Sequence, residues 1–188
     1  MAAVLAPEQL TAEAFLSEPE HERFELVDGE RRERCMSNLS SHYAFELNAE
    51  IRAHIRRNNL GLGFQSDCAL QIWPPSDNIR FPDGAFLAKD RVPPGVPGPG
   101  PLRVAPDLVF EVVSTHDHAI EVANKVKLYL EAGVRLVWVI YADIRSVHVY
   151  RQDGTGAVVG PAGALDGEDV LPGFRLPMAE LFPETVAS

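Results

Sequence analysis

Apolar positions recur along this chain with two different spacings, which predicts a mixture of helices and strands. Over residues 40–58 they return every two to four positions, as on the core-facing side of a helix. Residues 105–114 are nearly all apolar and rich in valine, which is typical of a strand buried on both faces. Asp28-Gly29, between two strand-like halves of residues 24–34, predicts a hairpin. The same reasoning predicts helices over residues 11–16 and 118–132 and strands over 64–73, 80–87, 134–141 and 146–151.

The order of these elements is a helix, three strands, a second helix and further strands, which predicts an α/β protein with a mixed sheet flanked by helices. Residues 92–101 are dense in proline and glycine, so we expect an exposed loop there. The interpretation is one domain over residues 1–188. It carries an N-terminal helix and hairpin over about residues 1–36 and a C-terminal extension over about residues 152–188.

Composition narrows the classes of protein to consider. Of the 188 residues 46% are apolar, enough for a packed core, and no apolar run is long enough to cross a membrane. The start of the chain does not resemble a signal peptide, and two cysteines are too few for a disulfide scaffold. We therefore expect a cytoplasmic protein that does not contact a membrane. The net charge of −10 argues against a protein whose main task is to grip nucleic acid, but a local basic face is compatible with it.

Two acidic residues occupy positions that suit the ligands of a metal ion. Glu111 interrupts the apolar run LVFEVV, where an ionised side chain is costly unless it is paired or bound to a metal. Asp107 lies four residues earlier, roughly 13 Å along the same strand, too far to share an ion with Glu111. Asp83, on a neighbouring strand roughly 5 Å away, can lie beside Glu111. We therefore predict Asp83 and Glu111 as the ligands of Mg²⁺ or Mn²⁺, which prefer oxygen ligands and retain water.

A lysine on the following helix can complete such a site. Lys125 shares a helix face with Val122 and Tyr129 and can point back toward Glu111. There it would orient a water or stabilise charge that develops on a phosphate. Lys127 is better placed for solvent.

The chain resembles the Uma2 (DUF820) family of the PD-(D/E)XK nuclease superfamily over nearly its whole length. The matching segments, in order, are RFELVDGE (23–30), PD (82–83), APDLVFEVVS (105–114), Lys125 with Tyr129, AGV (132–134) with VW (137–138), and LPGF (171–174).

That resemblance implies a restriction-endonuclease-like αβββαβ core, with Asp83 as the motif aspartate and Glu111 as the second acid. The superfamily lysine normally follows two residues after that acid, where this chain has Val113. The resemblance therefore implies that Lys125 supplies the amine, and that Glu25 reaches the site as a further ligand or base. His42 matches a histidine of the family, although a packing role explains it as well.

Structural explanations compete with each of these assignments. Asp83 lies in Pro-Asp-Gly, a common turn sequence, and Glu111 and Glu25 can each belong to an ion pair. Asp107 can orient a loop before its strand. A basic side of the first long helix can face a phosphate backbone or simply be solvated, and its members are Arg52, Arg56 and Arg57.

The leading hypothesis is a metal-dependent endonuclease that hydrolyses phosphodiester bonds of nucleic acid, with DNA as the expected partner. Asp83 and Glu111 would hold the ion, and Lys125 would assist. Because cleavage of a duplex usually needs two sites, we also expect a homodimer. One alternative is an inactive nuclease-fold binding or scaffold module, which the net charge and Val113 favour. Another is a phosphodiesterase that acts on small molecules.

Overall fold

The computed structural model describes residues 9–34, 37–72, 77–114 and 117–183. The helices are α1 (Ala12–Ser17), α2 (Asn38–Asn58), α3 (Ala119–Glu131) and α4 (Met178–Leu181). The strands are β1 (Phe24–Val27), β2 (Glu30–Glu33), β3 (Gly61–Gln65), β4 (Gly84–Ala88), β5 (Leu108–Val113), β6 (Leu136–Tyr141), β7 (Ser146–Arg151), β8 (Gly156–Val159), β9 (Ala164–Asp166) and β10 (Arg175–Pro177).

Six strands form a mixed sheet in the order β3-β4-β5-β6-β7-β8. Only β5 and β6 are parallel to each other, because α3 carries the chain back across the sheet between them. The other neighbours are antiparallel. The order α2-β3-β4-β5-α3-β6 is the predicted αβββαβ core, and the mixed sheet flanked by helices is confirmed.

Each face of the sheet has its own apolar cluster. On the face that α2 covers, Leu47 and Ile51 pack with Phe110 and Trp138. On the face that α3 covers, the cluster includes Val109 and Val137 of the sheet. Since side chains of a strand alternate between its two faces, Glu111 of β5 shares the α3 face with Val109. The sheet therefore points a carboxylate toward α3.

The β1–β2 hairpin packs separately, on a third cluster that joins it to α1 and to the segment before β4. Leu26 and Phe15 are fully buried against Ile79 and Phe81. The backbone of Leu26 also exchanges two hydrogen bonds with that of Ile79, at 2.9 and 3.0 Å. Because neighbouring residues of β1 face opposite sides, this anchoring of Leu26 turns Glu25 and Val27 toward the sheet and α3.

Most predicted elements are confirmed, and the differences follow from local sequence. β7 has the predicted bounds, and both long helices end within two residues of those predicted. The strand predicted over 64–73 is wrong: β3 ends at Gln65, and Leu70 makes only isolated bridges. β4 begins at Gly84, after Pro82, which has no backbone N–H for a sheet. Residues 73–76 lie outside the described part of the chain.

The C-terminal region contains strands that the apolar pattern does not indicate. β8 is an edge strand whose residues are largely exposed, so its sequence carries no apolar alternation. β9 and β10 form a separate two-stranded sheet with three residues in each strand, and α4 is a short helix directly after β10. Among the described helices, none combines the length and the apolar character needed to cross a membrane.

Candidate active site

A cleft of about 420 Å³ opens between the β1–β2 hairpin and α3. Three carboxylates from different elements line it: Glu25 of β1, Asp83 just before β4, and Glu111 of β5. All three side chains are buried, with residue exposures of 6 to 8%. The hairpin, the sheet and α3 thus bring together acids that are far apart in sequence.

Strand register places Asp83 beside Glu111. β4 and β5 are antiparallel with Gly84 opposite Phe110, so the next position along the ladder pairs Asp83 with Glu111. The N–H of Val112 donates to Asp83 Oδ2 at 2.7 Å, and Asn48 of α2 donates to the Asp83 carbonyl oxygen at 2.9 Å. These bonds fix both the side chain and the backbone of Asp83.

Gly84 is required for this close approach. A Cβ at this position would collide with the Phe110 ring and would lie 2.7 Å from Asn48 Oδ1. Any larger residue would therefore push away the helix side chain that holds the Asp83 backbone. The Pro-Asp-Gly sequence is used here to pack Asp83 tightly between α2 and β5.

Two side chains of α3 converge on Glu111. Tyr129 donates its hydroxyl to Glu111 Oε1 at 2.7 Å, and Lys125 Nζ donates to Glu111 Oε2 at 3.2 Å. Lys125 and Tyr129 are four residues apart, so they lie on one face of the helix. The expectation that Lys125 points back toward Glu111 is confirmed.

Glu25 faces Lys125 from the opposite wall. Its Oε1 lies 3.4 Å from Lys125 Nζ and accepts the N–H of Phe81 at 3.3 Å. Its Oε2 accepts from Arg80 Nη1 at 2.7 Å. Lys125 is therefore held between two carboxylates, and Glu25 is itself held by a buried arginine.

The cluster contains three carboxylates and two cations paired with them, Lys125 and Arg80, so among the described residues Asp83 has no ion-pair partner, although the charge of Arg34 also acts on it. Burial opposes ionisation of Glu25, but the charges of Lys125 and Arg80 outweigh it and lower its pKa. Burial raises the pKa of Glu111, and the nearby Glu25 charge adds to this while Lys125 opposes it. Burial, with the Glu111 charge, raises the pKa of Asp83 to about 7. Asp83 is thus the least compensated of the three acids.

In the metal-free protein we expect Asp83→Asn to stabilise the fold at about pH 8 by roughly 1–3 kcal/mol, and to stabilise it clearly less near pH 5. The folded-state pKa lies above the ordinary value of 3.8, so stability falls as the pH rises from about 4 through 7 and Asp83 loses its proton. Asparagine can still accept from Val112 N–H but carries no charge. Urea unfolding in EDTA at both pH values measures this.

Asp90→Asn, at an exposed position, is the matched control and should change stability little at either pH. Equal effects of Asp83→Asn at pH 5 and pH 8 would contradict a buried, ionisable Asp83.

The donor set suits a hard divalent cation. The described residues contain no group of three or more histidine, cysteine or acidic side chains arranged to hold a metal ion. Mg²⁺, however, commonly uses only one or two carboxylates, with water and phosphate completing its shell. Among the described residues, Asp83 accepts one side-chain hydrogen bond, at Oδ2, so Oδ1 has coordination capacity left. A cation beside Asp83 and Glu111 would also compensate the negative charge of ionised Asp83.

Asp107 lies at the other end of β5 from Glu111 and does not join the cluster. Its carboxylate is fully buried and accepts from Ala88 N–H and Arg91 Nη1, both at 2.7 Å, and from Arg135 Nη1 at 3.4 Å. The predicted separation from Glu111 along the strand is consistent with this placement. Asp107 therefore connects the end of β4 to the starts of β5 and β6.

Comparison with known proteins agrees with this architecture. The sequence profile of Uma2, described as a putative restriction endonuclease, matches residues 8–179. This chain belongs to the Uma2 family. No protein of curated function shows significant similarity to it. A crystal structure of a putative nuclease belonging to DUF820 from Anabaena variabilis ATCC 29413 superimposes with a TM-score of 0.80 at 22% identity. The match covers 92% of this chain and 97% of that one. The Uma2 chain therefore has the nuclease-like fold that its motifs predict.

Two of the predicted groups are not at the cleft of this Uma2 protein. Arg52, Arg56 and Arg57 are exposed on the C-terminal half of α2, and none of them lines the cleft. His42 is exposed near the start of α2, where its ring lies 5.1 Å from that of Tyr43, and it does not line the cleft either. The basic side of α2 therefore lies away from the cleft, and its contact with nucleic acid stays a prediction.

Two residues of the cluster were not assigned a site role from the Uma2 sequence. Tyr129 is four residues after Lys125, and this spacing is a signal that both face the same wall. Arg80 precedes Asp83 by three residues, but its contact with Glu25 spans 55 residues of sequence and depends on hairpin packing. Arg80 is only 6% exposed, and a buried arginine requires a carboxylate partner.

Proposed function

We propose that this Uma2 protein is a metal-dependent endonuclease that hydrolyses phosphodiester bonds of nucleic acid, DNA in particular. The observation that carries the proposal is the cluster of three buried carboxylates at the bottom of one cleft, in which Asp83 has no ion-pair partner among the described residues. Buried charge of this kind destabilises the folded state, and it is typical of sites that bind a ligand. Membership of a family described as a putative restriction endonuclease supports the reaction class.

In this proposal Asp83 and Glu111 hold a Mg²⁺ or Mn²⁺ ion. Bound there, the ion would polarise the phosphoryl oxygen and lower the pKa of a water ligand. Tyr129, by occupying Glu111 Oε1, fixes the rotation of the carboxylate and directs Oε2 toward Lys125. Val112 N–H fixes Asp83 in the same way. The two acids are therefore held in one arrangement before any ligand arrives.

Lys125 is the group we expect to act on the reacting atoms. Burial lowers the pKa of Lys125, but the negative charges of Glu111 and Glu25 on either side of it outweigh burial and raise the pKa above its ordinary value. Lys125 therefore stays an ammonium. An ammonium cannot accept a proton, so Lys125 acts by orienting water or by stabilising phosphate charge. Glu25, which contacts Lys125 at 3.4 Å, positions it and is the candidate to accept a proton.

The alternatives make different predictions. A small-molecule phosphodiesterase would use the same metal site but leave nucleic acid uncut. A nuclease-fold binding or scaffold module would show no metal affinity and no cleavage. The net charge of −10 is the observation that favours it. Because duplex cleavage needs two sites, the nuclease proposal includes a homodimer, which sedimentation at working concentration would detect.

The first experiment measures metal binding and cleavage together. We expect Mg²⁺ or Mn²⁺ to raise the melting temperature at about pH 8. The ion binds the folded protein and compensates the negative charge of ionised Asp83. Plasmid nicking should require the same ion and stop in EDTA. Metal binding with hydrolysis of a small phosphodiester but no nicking would favour the phosphodiesterase. A folded protein with neither metal binding nor nicking would contradict the nuclease proposal.

A further inference from the structure

The β1–β2 hairpin and the residue after it place two arginines, Arg32 and Arg34, on one wall of the cleft. Arg32 is paired in register with Glu25 of β1, and both line the cleft. In an antiparallel pair, opposed residues are on the same face about 5 Å apart. The Arg32 side chain therefore starts next to the carboxylate cluster and extends toward the cleft mouth, where 47% of it remains exposed.

Arg34, the neighbouring arginine on this wall, is already committed to the fold. Its guanidinium donates to the carbonyl oxygens of Glu22 and Ser66, at 2.6 and 2.9 Å, and its Cζ lies 4.6 Å from the centroid of the Phe81 ring. These three contacts would be lost if Arg34 moved to a ligand. Arg32 has no comparable anchoring among the described residues.

The partner of Arg32 is across the cleft. Arg32 Nη1 lies 3.8 Å from Glu121 Oε1 of α3, and the Glu121 side chain is also 47% exposed. Glu121 is four residues before Lys125, so it lies one helical turn away on the same side of α3. An exposed pair at this distance is weak and screened by salt. A ligand with a stronger anion can therefore displace Glu121 from Arg32.

We propose that Arg32 binds a backbone phosphate of the nucleic acid beside the bond that is cut, and that Glu121 occupies this guanidinium in the free protein. The inference rests on the proposed function and names the surface that receives the substrate. A planar guanidinium matches the two oxygens of a phosphodiester. A cation is needed at the cleft mouth because other lining residues are acidic and repel phosphate. They are Asp28, Glu33, Asp117 and Glu131.

This assignment moves the nucleic-acid contact from α2 to the hairpin. Arg32 lies on the same wall as Glu25 and is one of the residues that line the cleft. The arginines of α2 do not line it. A phosphate at Arg32 would be close to the carboxylate cluster, whereas one bound along α2 would not enter the cleft.

The first test compares two neighbouring arginines of β2. Arg32→Ala should weaken binding of a short DNA oligonucleotide about five- to tenfold and reduce the salt slope by about one, as expected for the loss of one phosphate contact. Arg31→Ala is the matched control, because Arg31 is exposed, pairs with Glu18 at 3.3 Å and does not line the cleft. Anisotropy in EDTA measures affinity without cleavage, and Arg32→Lys should recover part of the loss.

The second test addresses Glu121. Glu121→Gln should tighten binding about two- to fivefold, since it releases Arg32 and removes one repulsive charge. In an Arg32→Ala background the gain should be clearly smaller, because only the general charge effect remains. Equal gains in the two backgrounds would show that Glu121 does not occupy Arg32 and would overturn that part of the proposal.

The outcomes separate this inference from the proposed function. If the wild type binds and nicks DNA but Arg32→Ala and Arg31→Ala have the same affinity and salt slope, the hairpin assignment is wrong and the nuclease proposal stands. If the wild type, correctly folded, neither binds nor nicks DNA, both are wrong. Weaker binding and a lower salt slope in Arg32→Ala alone would support both.

Discussion

Glu111→Gln is expected to reduce metal-dependent cleavage by at least about 10²-fold, because it removes a charged ligand and the counter-charge of Lys125 in one step. Glutamine has nearly the same size, so packing inside β5 is retained. Its amide can still accept the Tyr129 hydroxyl, but it offers the ion no negative charge. The loss should therefore be chemical rather than structural. Nicking at saturating Mg²⁺ and the metal-induced rise in melting temperature are the two measurements.

Glu46→Gln provides the matched control for this prediction. Glu46 is exposed on α2 and does not line the cleft, so the same chemical change there should leave both measurements as in the wild type. If Glu111→Gln bound metal and cleaved DNA at the wild-type rate, Glu111 would be a structural partner of Lys125 and Tyr129. The proposed site would then be wrong even if the protein were a nuclease.

The acidic part of the site is predictable from sequence because strand geometry is regular. A carboxylate inside an apolar run is anomalous by itself, and the spacing along β5 separates Glu111 from Asp107. Lys125 is also predictable, since α3 follows β5 directly and its helical period is fixed. These assignments use only local geometry and the adjacency of consecutive elements.

The rest of the site depends on contacts between distant segments. Whether Glu25 meets Arg80 is decided by how the hairpin docks on Phe15 and Ile79, which no local pattern encodes. The basic side of α2 shows a second limit of local patterns. Three arginines on a helix indicate a charged face, but the side of the sheet on which α2 packs decides whether that face meets the cleft. Here the cleft lies on the α3 side.

Asp107→Ala is expected to destabilise the protein by about 3–5 kcal/mol, as when one partner of a buried ion pair is removed. Asp107 is fully buried, and its carboxylate satisfies the Ala88 N–H and the guanidinium groups of Arg91 and Arg135. Alanine would leave these donors without their acceptor at the junction of β4, β5 and β6. For a chain of this size the melting temperature should fall by about 10 °C.

Asp169→Ala tests whether burial, rather than an ion pair as such, accounts for that loss. Asp169 also contacts Arg135, at 2.5 Å, but its side chain is 79% exposed, so removing it should cost less than about 1 kcal/mol. Thermal and urea unfolding of both variants give the comparison. Similar small losses in the two would mean that Asp107 is dispensable for joining the strands. A large loss of stability in Asp107→Ala alone would show that the acids at the two ends of β5 have different roles. Asp107 would stabilise the junction of the strands, whereas Glu111 would be a residue of the proposed active site.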